Sequence, residues 1–206
     1  MLSFLRELPV LLLVAFVLAF LLRTFIVQVF YIPSSSMEET LQVNDRMIVE
    51  KVSFLFREPH RGEVIVFEGD ELVDESEQSL VSTVTTGVGR FLGLVPANAR
   101  DFVKRVIAFP GEVVLVRGGV VSVDGVELTE PYVTNVDVSD FGPLTVPDDE
   151  LFVMGDNRPN SADSRSTTLG PVLLDHVVGR ATTIIWPLDH TGGIGDYDLD
   201  VQAPRG

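Results

Sequence analysis

E-V-V-L-V-R-G-G-V-V-S-V-D-G-V-E-L, Glu112 to Leu128, decides the fold class of this chain. Short valine-rich runs are separated by Gly118-Gly119 and Asp124-Gly125, pairs that suit two-residue hairpin turns needing positive φ. The segment reads as a β-meander over Glu112–Arg117, Val120–Val123 and Val126–Leu128. Working outward, period-two alternation predicts further strands at Arg46–Lys51, Gly62–Phe67, Phe102–Ala108, Leu151–Met154 and Val177–Trp186, with a turn at Pro110-Gly111. Long amphipathic helices are absent from this part of the sequence. The expected fold is mainly β: an antiparallel, barrel-like sheet with a small β lobe inserted at about 113–150.

The N-terminus is of another kind. Leu8 to Leu22 is apolar without a charge, and beyond Arg23 the chain continues as T-F-I-V-Q-V-F-Y-I. The charge-free run is shorter than the ~20 residues that cross a bilayer core. Arg23 can snorkel to an interface, so a span from Phe4 to Ile26 is expected, with residues 1–27 as anchor and 28–206 as the body. A cleavable export signal is the alternative, but no small-x-small site follows.

The chain has 206 residues, with 15 Lys+Arg against 30 Asp+Glu, a net charge of -15. That balance argues against a nucleic-acid partner, which requires clustered positive charge. With no cysteine, disulfides and a thiolate nucleophile are both excluded. His60, His176 and His190 lack ligand spacing, so no metal is expected. Gly69–Gln78 reads as a solvated acidic loop. Val81–Val95, apolar with glycines, reads as a satellite core or as a surface dipping into the bilayer interface. The tail beyond Gly193 reads as poorly ordered.

Chemistry concentrates in a few stretches. I-P-S-S-S-M-E-E-T-L at Ile32–Leu41 follows the apolar segment, and Lys104-Arg105 lies inside a strand-like run. A serine hydroxyl is a poor nucleophile until a base takes its proton, and a lysine serves only when burial lowers its pKa. Alternation puts Lys104 on the face of Phe102 and Val106, and Arg105 on that of Val103 and Ile107.

These stretches resemble the bacterial type I signal peptidases, block by block and in order. The matching blocks are Ile32–Leu41, N-D-R-M-I-V-E-K at Asn44–Lys51, R-G-E-V-I-V-F at Arg61–Phe67, D-F-V-K-R-V-I-A-F-P-G-E at Asp101–Glu112, G-D-N-R-P-N-S-A-D-S-R at Gly155–Arg165, and Gly179–Ala181 leading to Trp186-Pro187. The resemblance implies a membrane-bound serine endopeptidase of the Ser-Lys type, with Ser36 as nucleophile and Lys104 as base. By the same resemblance, Ser34 and the Ser36 backbone N–H form the oxyanion hole, and Ser161 orients the lysine. Gly155 avoids crowding it, Arg105 pairs with Asp156, and Asp163 and Arg165 shape the neighbouring loop. Phe30, Ile32, Met37, Leu41, Phe102 and Val103 are expected to line the pocket for substrate side chains. The implied substrates are exported preproteins with small residues at the third and first positions before the cut. They are processed outside the bacterial cytoplasmic membrane by a single-pass enzyme in contact with lipid and the export translocon. Neither metal nor organic cofactor is required.

One departure stands out, because Glu39 occupies a position where the family usually has proline. A non-catalytic membrane-anchored domain that binds export signals is a second reading, although it predicts loss of Ser36 or Lys104. A self-cleaving Ser-Lys regulator would need a DNA-binding segment that the sequence lacks. A calcium loop at Gly155–Arg165 is disfavoured by its two arginines.

Overall fold

The hairpin turns are where their residues demand them. In the computed structural model, which describes residues 8–16, 26–69, 101–197 and 199, Gly118 and Gly119 stand at φ 54° and 87°, and Asp124 and Gly125 at 51° and 79°. They join β5 (Val113–Arg117), β6 (Val120–Val123) and β7 (Val126–Glu127). With β8 (Phe141–Thr145) these make a four-stranded antiparallel sheet, ordered β7-β6-β5-β8.

The larger sheet has eight strands. Its path runs β1 (Val27–Tyr31), β2 (Arg46–Glu50), β11 (Val177–Trp186), β3 (Val64–Glu68), β4 (Asp101–Ala108), β9 (Glu150–Met154) and β10 (Val172–Leu173). A short β12 (Gly192–Gly193) pairs with β11. Neighbours are antiparallel, and the ladder is an open path with β1 and β10 at its ends.

Strand β3 explains how the core is divided. Val64 and Val66 pack into a cluster with Phe30, Ile32, Met37, Leu41, Met47 and Val49, whereas Ile65 and Phe67 pack into a second with Val106, Leu151 and Val153. Both faces are covered, so the run V-I-V-F is buried throughout. A third cluster joins Ile107, Ala108, Phe152 and Met154 of the large sheet to Val114, Val116, Val121 and Val123 of the small one. The small sheet is thereby seated across β4 and β9.

Several expectations change. Four strands lie outside the sequence reading: β1, β8, β10 and β12. The described part of the tail is not loose: Ile194 and Leu199 are buried, and the Tyr197 ring packs at a tilt against Tyr132 with centroids 5.1 Å apart. The Gly195 carbonyl accepts from Arg105, and Asp196 pairs with Arg180. Buried apolar side chains and a buried guanidinium supply the order that the acidic composition concealed. Of the expected anchor, residues 8–16 are helical with apolar side chains exposed, and the rest lies outside the described residues. Among the described residues no helix is long and apolar enough to cross a membrane. The Val81–Val95 segment and most of Gly69–Gln78 are also outside them.

Tyr197→Ala should therefore lower the free energy of unfolding by about 2 kcal/mol, since it removes a ring from a desolvated guanidinium. Urea denaturation measures this, and a variant as stable as the parent would mean that the tail packs without consequence.

Candidate active site

Residues 32–45 leave the edge strand β1 and return as β2, and the loop is tied at its base. Ile32 N donates to Asp45 O and Asn44 N to Ile32 O, both at 2.9 Å. Within it, Thr40 N and Leu41 N turn back to Met37 O at 3.1 and 2.7 Å, while Met37 and Leu41 sink into the core. This leaves Ser36, 8 % exposed, at the edge of the buried interior. Ser34 is exposed beside it, with 3.4 Å between the two hydroxyl oxygens.

Lys104 comes from the middle of β4, directly across from Ile65 on β3. It is 3 % exposed. Its Nζ donates to Ser36 Oγ at 2.8 Å and to Val103 O at 3.0 Å, so residues 68 positions apart in sequence meet within one hydrogen bond. Desolvation lowers the lysine from its usual 10.5 to about 8, against the opposing pull of the Asp163 and Asp156 carboxylates. The neutral amine is thus accessible at mildly alkaline pH, in contact with the hydroxyl whose proton it would take.

Arg105, the next residue, points to the opposite face and meets burial by another route. Its side chain and that of Asp156 have no exposed surface. Nε donates to Asp156 Oδ1 at 2.9 Å and Nη2 to Oδ2 at 2.6 Å. Nη1 donates to Gly62 O at 2.6 Å and Gly195 O at 3.1 Å, and Nη2 also reaches Thr40 Oγ1 at 3.4 Å. Thr40 in turn donates to Asp156 Oδ2 at 2.6 Å. Tyr132 and Tyr197 rings lie 4.0 and 5.1 Å from the guanidinium carbon.

The 155–165 loop forms the other wall. Asp163 is buried, accepting from Gly155 N at 3.1 Å and from Arg165 Nε and Nη2, both at 2.9 Å. Gly155 lies against Ser36 so closely that an added Cβ would come within 2.5 Å of Ser36 O and 2.2 Å of Ser161 Oγ. Ser161 Oγ itself is buried without a hydrogen-bond partner among the described residues. The expected bond between Ser161 and Lys104 is therefore not formed; the amine's second contact is the Val103 carbonyl.

The six expected pocket residues do not share one wall. Phe30, Ile32, Met37 and Leu41 form one buried cluster with Val103 at its margin, whereas Phe102 joins the other cluster, stacked 5.8 Å from Phe67. Successive residues of a strand face opposite ways, so Phe102 lies on the Lys104 side of β4 and Val103 on the other.

Two residues of the G-D-N-R block matter more than their types announced. Asn157 N donates to Ser36 O at 3.1 Å, and its side chain donates to Ser35 O at 3.0 Å and Glu38 Oε2 at 3.2 Å. Arg158 Nε donates to Gly155 O at 3.1 Å. Both lie in a block whose other members suggested a site, which was the available signal. Glu130 and Tyr132, which complete the surroundings, carried none.

Comparison with known proteins identifies the family. The family model described as signal peptidase, peptidase S26, matches residues 5–186. Signal peptidase I of Leptolyngbya laminosa is 41% identical over 179 residues, covering 87% of this chain and 78% of the relative. The probable signal peptidase I-2 of a Synechocystis strain is 40% identical over 190 residues (92% and 76%), and signal peptidase I of Mycobacterium tuberculosis 37% over 222 (92% and 75%). A crystal structure of an Enterococcus faecalis signal peptidase I overlays only loosely, with a TM-score of 0.42 and 30% identity over 60% of this chain and 97% of that one. On a match over residues 5–186, most of its length, the chain belongs to the signal peptidase family, peptidase S26.

Proposed function

We propose that this protein is a serine endopeptidase that removes signal peptides from exported preproteins, with Ser36 as nucleophile and Lys104 as general base. The observation that carries the reading is the 2.8 Å contact between the Lys104 amine and the Ser36 hydroxyl, both buried. As Ser36 Oγ attacks the scissile carbonyl, neutral Lys104 takes its proton. The Ser34 hydroxyl and Ser36 N–H receive the oxyanion. The ammonium then protonates the leaving amine, and a water activated by the restored base releases the acyl-enzyme.

The remaining assignments belong to the same proposal. Gly155 leaves room for the dyad, Asp163 and Arg165 hold the loop that carries it, and Arg105 with Asp156 secures the loop from below. Ser161 would reach the lysine by rotating its unpartnered hydroxyl toward the ammonium formed during turnover. Small side chains of the substrate would enter where the partly buried Val103 borders the cluster of Phe30, Ile32, Met37 and Leu41, whose apolar walls admit alanine and reject larger groups. Residues 1–27 would anchor the enzyme in the bacterial cytoplasmic membrane with residues 28–206 outside, the lobe at about 113–150 included. There it would meet lipid, substrate and the export translocon, and sharing one membrane with the substrate raises their effective concentration.

Cleavage of a signal-bearing substrate by detergent-solubilised protein tests the dyad. Ser36→Ala and Lys104→Ala should each reduce kcat by on the order of 10⁴-fold or more, and Ser34→Ala by ~10²–10³. Turnover surviving either dyad substitution would reject the mechanism. The rate should rise with pH through about 8, where Lys104 loses its proton, and level off above.

Stability provides a second measurement. The folded-state pKa is lowered, so below pH 8 a charged amine is buried and the whole penalty, roughly 3 kcal/mol, is present. Between pH 8 and 10.5 the unfolded chain binds more protons than the folded one, and wild-type stability rises with pH until the penalty is gone. Lys104→Met should accordingly be stabilising at pH 7 by an amount that shrinks across that window. An advantage independent of pH would show that the amine is not desolvated.

Gly155→Ala probes the close approach. The added methyl meets the Ser36 carbonyl, which is held by Asn157 and cannot yield like a flexible side chain. An expected loss of ~10²-fold in kcat follows from displacing the nucleophile by about 1 Å. Wild-type turnover would refute the packing argument.

A further inference from the structure

Residues 129–137 connect the two strands β7 and β8 of the small sheet and contain no strand or helix of their own. Their side chains nevertheless reach the surroundings of Ser36 and Lys104 at four points. Glu130 takes both Nη atoms of Arg158, at 2.6 and 2.9 Å, in a pair whose side chains are 9 % and 2 % exposed. Tyr132 donates to Glu130 Oε1 at 2.7 Å and lays its ring over Arg105. The Asn135 side chain donates to Asn157 Oδ1 at 3.3 Å. Asp137 accepts from Arg165 Nη1 at 2.9 Å.

Each residue gripped in this way holds a group at the dyad. Arg158 holds Gly155 O, Asn157 holds Ser35 O and Ser36 O, and Arg165 holds Asp163 together with the Arg158 carbonyl, at 2.7 Å. We propose that residues 129–137 are a clamp by which the small sheet sets Ser36 against Lys104 and keeps water from the amine, with Glu130 as the positioning residue that acts through Arg158. This deepens the reaction proposed above and rests on it for its purpose, though not for its test.

The physical argument concerns what a released Arg158 would do. A guanidinium cannot shed its proton, so without Glu130 it remains charged and moves toward solvent. Gly155 O loses its donor, and the peptide packed against Ser36 and Ser161 is freed on that side. Water then reaches the enclosure, and desolvation, the main cause of the low lysine pKa, is relieved. The charged groups that bear on Lys104 are Asp163 and Asp156, and these are paired to Arg165 and Arg105. Removing a carboxylate by substitution would, through its field alone, lower the pKa of an ammonium. Hydration raises it. The direction of the change therefore separates positioning from simple electrostatics.

The chain has only two lysines, Lys51 and Lys104. Carbon-13 labelling of the lysine ε position thus gives two resonances to follow by NMR between pH 6 and 11 in the full chain held in detergent micelles. In Glu130→Gln the Lys104 midpoint should rise by roughly half a pH unit or more, and kcat at pH 8 should fall several-fold with KM unchanged. Lys51 should not move. Asp137→Asn, at a more exposed pair, should move Lys104 the same way by less, and decides the matter if Glu130→Gln does not fold. Glu63→Gln breaks a different buried carboxylate–arginine contact, to Arg57, and should lower the melting temperature without moving Lys104. A Lys104 midpoint unchanged or lowered in the folded Glu130 and Asp137 variants overturns the clamp. Absence of cleavage by the wild type would instead count against the proposed reaction, and the titration would still decide the clamp.

Discussion

A guanidinium with no exposed surface constrains nearly everything around the site. Arg105 belongs to β4, its carboxylate partner to the loop after β9, and its other acceptors to Gly62, Gly195 and Thr40. Two tyrosines, one from the small-sheet connection and one from the tail, cover its faces. A buried charge is tolerable only when its hydrogen-bonding capacity is met, and here all five N–H donors have acceptors. Five other segments must therefore arrive at β4 together, and folding of the site becomes cooperative with folding of the body.

The adjacent Lys104 meets the same low-dielectric interior and solves it differently. Arginine cannot lose its proton, so it is matched with partners; lysine can, so it is left nearly without them. Alternation along one strand sends the two side chains to opposite faces, and the chemistry of each face follows. The carboxylates that neutralise the arginine side are close enough to oppose deprotonation of the lysine, yet burial outweighs them. The buried amine is destabilising at neutral pH, and perturbed groups of this kind cluster at functional sites.

What could be read from the chain beforehand was what local chemistry dictates. Gly118-Gly119 and Asp124-Gly125 are among the few pairs that take up the positive φ of a two-residue hairpin turn readily, so the meander was legible. The ordered motif blocks singled out Ser36 and Lys104, which the fold brings into contact. Strand β1 was hidden because V-Q-V-F-Y follows the apolar N-terminal run with no turn residue between them. β8 was hidden because Gly142-Pro143 reads as a turn; it pairs only with β5, at the edge of its sheet, where proline is tolerated. Phe102 and Val103 both flank Lys104 in a matching block, but a strand sends them to opposite faces, and they join different core clusters. Glu130 and Tyr132 were invisible, since their partners Arg158 and Arg105 lie 28 and 27 positions away and no local pattern announces them.

Glu39 shows how a loop can be fixed without the residue that usually stiffens it. It stands at φ 81°, a value closed to proline, whose ring holds φ near −65°, and unfavourable for any side chain with a Cβ. At this residue the loop therefore takes a path that proline would not allow. Its shape is imposed from outside: Ile32 and Asn44 bond across the base, Met37 and Leu41 are embedded in the core, and Thr40 is tied to Asp156 while Asn157 holds Ser35 and Ser36. Such contacts offset about 1–3 kcal/mol of local backbone strain. They also make the position of Ser36 depend on the 155–165 loop, and through Arg105 and Arg158 on the small-sheet connection, where a proline would have set the turn locally.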